Sequence, residues 1–172
     1  MPYQLQEIRQ ALSDDPAAFL AQCDQQYQQR ISKAADTILK RRNESPIVLL
    51  SGPSGSGKTT TALKLEEELE RRGISTHTIS LDNYFKTMDR STAPRTPEGD
   101  IDLESPLLLD MDLLDETFTK LTRGEEVIIP KFEFSRQMRN DARGRPLSLG
   151  PNEIAIFEGI HALNDDIAGR HP

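Results

Sequence analysis

The chain has 172 residues, the span of one domain, with 35% hydrophobic and 28% charged residues and a net charge of −7. The apolar residues gather into segments, which argues against a wholly disordered chain; no apolar run reaches the ~18–20 residues of a membrane span, and MPYQLQEIRQ lacks the basic-then-apolar order of a signal peptide. The acidic balance disfavours a broad face for duplex nucleic acid, and the single cysteine, Cys23, makes neither an internal disulfide nor a cysteine metal cluster, so a soluble, reduced, cytoplasmic protein is expected.

Residues 1 to about 44 read as a polar helical extension. Asp14-Asp15-Pro16 breaks a short helix from a longer one, with Pro16 in the first turn of the second. Tyr27, Ile31, Ala34 or Ala35, and Ile38 recur at helical spacing and predict one face packed on the main domain, residues 45–172. There, Ile47-Val48-Leu49-Leu50 is a short apolar run between Pro and Gly, the mark of a strand buried on both faces. Thr61 to Arg72 has a helical pattern with Ala62, Leu65 and Leu69 facing in and Gly73 closing it. Thr76 to Leu81 reads as a second strand, so the unit is a βαβ crossover of a parallel sheet.

Residues 83–106 are a long polar loop with Pro94, Pro97, Gly99 and Pro106, a length that marks function or disorder. Leu107 to Leu121 reads as helical, Glu126 to Phe134 as β-rich, and Arg136 to Arg145 as a turn-like stretch with four arginines. Ile154 to Phe157 is another wholly apolar run, ending in Glu158-Gly159. The pattern predicts a three-layer α/β/α domain with a parallel sheet, preceded by the helical extension.

Between the first strand and the first crossover helix, Gly52-Pro53-Ser54-Gly55-Ser56-Gly57-Lys58-Thr59 fits G-x-x-x-x-G-K-[ST], the phosphate loop of P-loop NTPases. Glycines let successive backbone N–H groups turn inward as a cradle for phosphate oxygens, and the helix that follows adds its positive N-terminal end. Lys58 can reach β- and γ-phosphates, Thr59 can ligate Mg²⁺, and Thr60 extends the loop. The expected ligands are therefore ATP and Mg²⁺. Glu158 ends a buried strand at the sheet edge where ligands bind, as a direct or water-mediated Mg²⁺ ligand. Asp82 follows the second strand at that same edge, where a carboxylate can take a proton from an attacking hydroxyl or help hold the metal; an ordinary turn aspartate is the competing explanation.

GPSGSGKTT (52–60), LDNYF (81–85), PKFEF (130–134) and FEGIH (157–161), in this order, resemble the uridine kinase and phosphoribulokinase group of P-loop kinases, closest to bacterial uridine kinase-like nucleoside kinases. The resemblance runs from about residue 46 to 165. It implies that Asp82 is the catalytic base on a nucleoside 5′-hydroxyl and that Tyr84 and Phe85 pack near the substrate. It sets Glu104, with Asp102 in reserve, as the ribose ligand, and matches Arg139 to a family arginine. Two positions depart from the uridine kinase pattern: Phe132 stands where the family has Tyr, and Gln137 where it has His. Both family residues belong to the pyrimidine pocket, so a different base preference is expected, because buried polar groups left unpaired are costly. His161 is read as an ordinary turn histidine.

The resemblance also implies a further helix, a strand and an arginine-bearing lid after the FEG strand, so the 45–172 domain is expected to be truncated at its C-terminus. The phosphate-loop strand would then have one open edge, and a homo-oligomer or an aggregation-prone chain is expected. The leading function is an ATP- and Mg²⁺-dependent kinase of a small-molecule hydroxyl. The alternatives are a kinase of phosphoribulokinase or pantothenate kinase type, or a nucleotide-binding module without turnover. A GTP-binding switch would need a guanine-reading Asn-Lys-x-Asp, which does not occur.

Overall fold

The computed structural model describes residues 4–169. Two helices open the chain, α1 (Leu5–Asp14) and α2 (Pro16–Arg41). They break at Asp15, whose extended backbone and side chain cap α2 by accepting from Ala18 N at 2.9 Å, with Pro16 at the first helical position. A cap of this kind contributes roughly 1 kcal/mol. Along α2, Ile31 and Ala35 are buried and Tyr27 and Ile38 pack beside them; Ala34 is exposed, which settles the choice between the two alanines.

β1 (Ile47–Leu50), α3 (Lys58–Arg71) and β2 (Ser75–Ser80) form the expected crossover, and a 3-10 turn, Leu81–Tyr84, follows directly. The helix expected from Leu107 starts later, as α4 (Met111–Thr122). Ser105 and Pro106 set a separate 3-10 turn over Pro106–Leu108, and Asp110 caps α4 by accepting from Leu113 N at 3.3 Å. Short strands follow: β3 (Val127–Ile129), β4 (Phe132–Glu133), β5 (Met138–Arg139) and β6 (Arg145–Leu147). They pair as two antiparallel ribbons, β3 with β6 and β4 with β5. The main sheet is completed by β7 (Glu153–Glu158), and α5 (Asp165–Ala168) is a single short turn.

The sheet is parallel with order β1-β7-β2, so the strand latest in sequence lies in the middle. Its side chains alternate between two apolar layers, as the period of two requires. Ile154 and Ile156 join Ile31, Ala35, Ala62, Leu65 and Leu69 under α2 and α3, whereas Ala155 and Phe157 join Ile79, Leu114, Phe118 and Leu121 under α4. Arg72 fastens the helix pair, bonding Asp36 and the Ser32 hydroxyl on α2 and Glu68 on α3, while the Tyr27 hydroxyl shares a 3.1 Å hydrogen bond with Thr61. These are the three layers the sequence predicts, with the helical extension covering the α3 side.

Ile47 to Leu50 pairs with Ala155 to Glu158 on one side, and among the described residues no strand pairs with its other side. A groove of about 480 Å³ runs along that free edge, lined by Ile38 and Arg41 of α2 and Phe118 and Thr122 of α4, and it contains none of the loop residues 52–59.

Candidate active site

The glycine-rich loop leaves β1 and enters α3 at Lys58. Gly55 (φ 72°) and Gly57 (φ 82°) both take the left-handed region, and Gly57 is the N-cap of α3. A side chain at either position would be strained. Gly52 is required for a different reason: a Cβ there would lie 2.7 Å from Ser56 Oγ and 3.1 Å from Lys58 Cγ. The Lys58 stem thus crosses directly over the start of the loop. Its Nζ donates to the Pro53 carbonyl at 3.2 Å, and Ser56 N closes the same turn on Pro53 O at 3.2 Å. Ser54, Thr59 and Thr60 are exposed around this turn.

The two carboxylates stand at the C-terminal edge of the sheet. Glu158 ends β7, in register with Leu50 on β1 and Ser80 on β2. Asp82 lies in the 3-10 turn after β2, its N–H donating to Ser80 Oγ at 3.3 Å. Burial pushes the Asp82 carboxyl above the usual range, and the Lys58 ammonium and His161 pull the other way. Lys58 and Asp82 therefore act on each other across the site. The turn after β7 packs closely on the turn after β2: a Cβ at Gly159 would lie 2.9 Å from Leu81 Cβ. Ser51 Oγ ties it to the end of β1 by donating to Ile160 O at 2.9 Å. The Thr59 hydroxyl and the carboxylates of Glu158 and Asp82 are hard oxygen donors of the kind magnesium takes when phosphates supply further ligands. Among the described residues, no group of three or more His, Cys, Asp or Glu side chains is placed to hold a metal.

Beside Asp82 is an aromatic-walled cavity of about 100 Å³, lined by Phe85, Lys86, Met88, Leu103, Leu108, Phe132, Phe134 and Gln137. Phe132 meets Phe85 edge-on at 5.6 Å between centroids and Phe134 at 5.2 Å. Asn83 Oδ1 accepts from Phe132 N at 3.3 Å, which fixes β4 against the turn bearing Asp82. Gln137 is the sole non-glycine residue at positive φ (51°) among the described residues. It is held there by its own N–H to Phe134 O and by Met88 N on its carbonyl.

The structure moves Tyr84 out of the substrate role that the resemblance implies. Its side chain is wholly buried, packed against Phe157 and donating to Thr117 Oγ1 at 3.4 Å, and burial pushes its hydroxyl up to about 12. Asp102 and Glu104 do not line the cavity; Leu103 between them does. Asp102 Oδ1 accepts from Glu104 N at 3.1 Å, and Glu104 itself is exposed. Arg139 is engaged elsewhere, with Asp110 at 2.6 Å and Asp141 at 2.9 Å, and the Asp110 partner holds its guanidinium above the ordinary value. Sequence reasoning missed Asn83 and, in the cavity lining, Lys86, Met88, Leu103, Leu108 and Phe134. Of these, Asn83 and Phe134 carried a signal, each standing inside a motif already assigned, LDNYF and PKFEF.

A parallel sheet with a glycine-rich loop and two carboxylates at its C-terminal edge is the architecture of a P-loop fold. A family model described as "Phosphoribulokinase / Uridine kinase family" matches residues 47–169, and the chain belongs to that family. A uridine kinase from Limosilactobacillus reuteri is 28% identical over 127 residues, covering 73% of this chain and 55% of the relative. A uridine kinase from Schizosaccharomyces pombe is 33% identical over 117 residues, covering 68% of this chain and 25% of the relative. Among solved structures, one described as a "possible uridine kinase" from Bacillus stearothermophilus superposes with a TM-score of 0.63 at 22% identity, over 82% of this chain and 75% of that one. The chain spans about half the length of bacterial uridine kinases it matches. No helix among the described residues is long and apolar enough to cross a membrane.

Proposed function

We propose that this chain carries the nucleotide and acceptor sites of an ATP- and Mg²⁺-dependent kinase that phosphorylates a small-molecule hydroxyl, with a nucleoside 5′-hydroxyl as the acceptor class. The observation that carries the reading is the placement of Asp82: half-buried, acted on by Lys58 of the glycine-rich loop, and in one turn with Phe85 of the aromatic cavity. In the reaction, the acceptor oxygen forms a bond to the γ-phosphorus while the bond from that phosphorus to the bridging oxygen breaks, releasing ADP. The hydroxyl proton passes to an Asp82 carboxylate oxygen, whose raised proton affinity suits a base. Gly52, Ser54, Gly55, Ser56, Gly57 and Thr60 supply the loop, and Lys58 its charge. Magnesium, held by Thr59 and Glu158 with Asp82 alongside, would neutralise charge on the phosphoryl oxygens.

Three phenylalanines lining one cavity suit a planar base, which stacks on rings. A sugar phosphate would call for cations, and the cavity offers only Lys86; this disfavours a phosphoribulokinase-type acceptor. With Phe132 and Gln137 in the pocket, the preferred base is one other than uracil. The test is an acceptor panel of nucleosides, a pentose phosphate and pantothenate, assayed with the full natural chain, ATP and Mg²⁺. A nucleoside other than uridine is expected to give the fastest ADP release. ATP binding with no acceptor-dependent ADP release would select the module without turnover, and unaltered water-only hydrolysis across the panel would sink the kinase reading.

A further inference from the structure

His161 stands in the turn after β7, and that turn is fixed. Ser51 Oγ holds Ile160 O, Asn164 N donates to His161 O at 2.8 Å, and Gly159 packs on Leu81. The imidazole Nε2 is buried and has no hydrogen-bond partner among the described residues. A buried polar atom left without a partner is costly, and such atoms in native proteins call for an explanation. His77 Nε2 is in the same condition, but it has the Glu153 carboxylate 3.6 Å away and sits opposite Ala155, deep along the sheet. His161 makes no ion pair among the described residues, and the carboxylate it faces is Asp82 of the site. It lies at the C-terminal end of the sheet, in the turn held to Ser51 at the end of β1 and to Leu81 beside Asp82.

We propose that His161 Nε2–H donates a hydrogen bond to a γ-phosphoryl oxygen of the bound nucleoside triphosphate, making it a catalytic residue beside Lys58. The inference rests on the kinase reading and deepens it. Asp82 and Glu158 are acceptors only when ionised, so they cannot satisfy a phosphoryl oxygen. Lys58 is one cation for a group with three outer oxygens. An imidazole donor in a turn held next to the one bearing Asp82 would add a second contact to the group in transfer, where preorganised donors have their largest effect.

Binding and imidazole NMR test it without relying on turnover. In the full natural chain, the ¹⁵N signals of His161 are assigned by difference with His161→Gln and followed on adding Mg²⁺ with a non-hydrolysable ATP analogue, and separately with ADP. The Nε2 signal is expected to move with the triphosphate and to stay with ADP. By calorimetry, His161→Phe should lower the preference for the triphosphate analogue over ADP roughly tenfold, as loss of one hydrogen bond to a charged group does. His161→Gln, which keeps a donor, should retain most of that preference. A silent His161 with both nucleotides bound, an equal shift with ADP, or equal losses in the Phe and Gln variants would each overturn the γ-phosphoryl contact and leave the kinase reading standing. Failure of both nucleotides to bind overturns the kinase reading, and this contact with it.

Discussion

The glycine-rich loop takes its geometry from one continuous stretch, Gly52 to Thr59, whereas the aromatic cavity is assembled from residues 85–88, Leu103, Leu108 and 132–137. In the loop, backbone conformation does the shaping: two positive-φ glycines, and a third glycine that leaves room for the Lys58 stem. In the cavity, side chains do it, and their neighbours are far away in sequence. A site made of backbone tolerates few substitutions and recognises a shared chemical group. A site made of side chains on ribbons and turns can be retuned one residue at a time.

Substitutions can separate the two halves. The largest expected effect is at their junction. Asp82→Asn keeps the shape but not the proton acceptor, so turnover should fall roughly 10²- to 10⁴-fold, with nucleotide affinity largely kept; turnover at the parent rate would make Asp82 a turn residue only. The same variant carries a stability signature. Because burial raises the Asp82 proton affinity in the folded state, the native carboxyl adds stability below its unfolded pKa and loses it as pH rises through the folded value. Asp82→Asn should therefore melt higher than the parent at neutral pH, and the gain should vanish in acid below the ordinary carboxylate range.

On the phosphate side, Lys58→Ala removes the charge placed by the loop, and ATP affinity should drop by roughly 10- to 100-fold, the loss of a charge-assisted contact. Unchanged affinity by calorimetry would remove the loop from the site. On the acceptor side the effects should be gentler and selective. The double change Phe132→Tyr with Gln137→His should raise the relative rate with uridine, roughly several-fold to tenfold, with the KM for ATP unmoved. A change in the KM for ATP would mean that the halves are not independent. The smallest effect is at Tyr84. Tyr84→Phe deletes one buried hydrogen bond, so a loss of about 0.5–1.5 kcal/mol in unfolding free energy is expected, and the KM for the acceptor should not change.

The Tyr84 result shows where sequence reading stops. Asp82, Asn83, Tyr84 and Phe85 form one motif in sequence, and all look equally available to a ligand. In a 3-10 turn, however, residues three apart eclipse. Leu81 and Tyr84 therefore share the core face, Tyr84 against Phe157, while Asp82 stays half-buried and Phe85, extended at the end of the turn, lines the cavity. Only the turn type decides this, and nothing in the residue names declares it. The late start of α4 is a similar case, because Asp110 rather than Ser105 caps it. What was legible had local causes: the break at Asp15-Pro16, the apolar run of β1, and the glycines of the loop. The acidic pair Asp102 and Glu104 has only loop composition behind it, and the structure sets neither against the cavity.

The central position of β7 has a consequence for how the molecule is made. Among the described residues β1 and β2 have no ladder with each other, and each pairs with β7 alone. Ser51 and Ile160, joined at the site, are 109 residues apart in sequence. On the ribosome, therefore, the glycine-rich loop and its helix emerge long before the strand that seats them, and the chain must wait with apolar β1 and the more polar β2 unpaired. Long-range parallel pairing of this kind is slow and leaves edges exposed meanwhile. The helical extension is made first, and α2 can cover one face of α3 throughout that interval, shielding Ala62, Leu65 and Leu69 before the sheet exists. Nascent chains halted before Glu153 should then be protected from proteolysis along α2 and α3 and cleaved freely around β1 and β2, because β7 is the strand that joins those two.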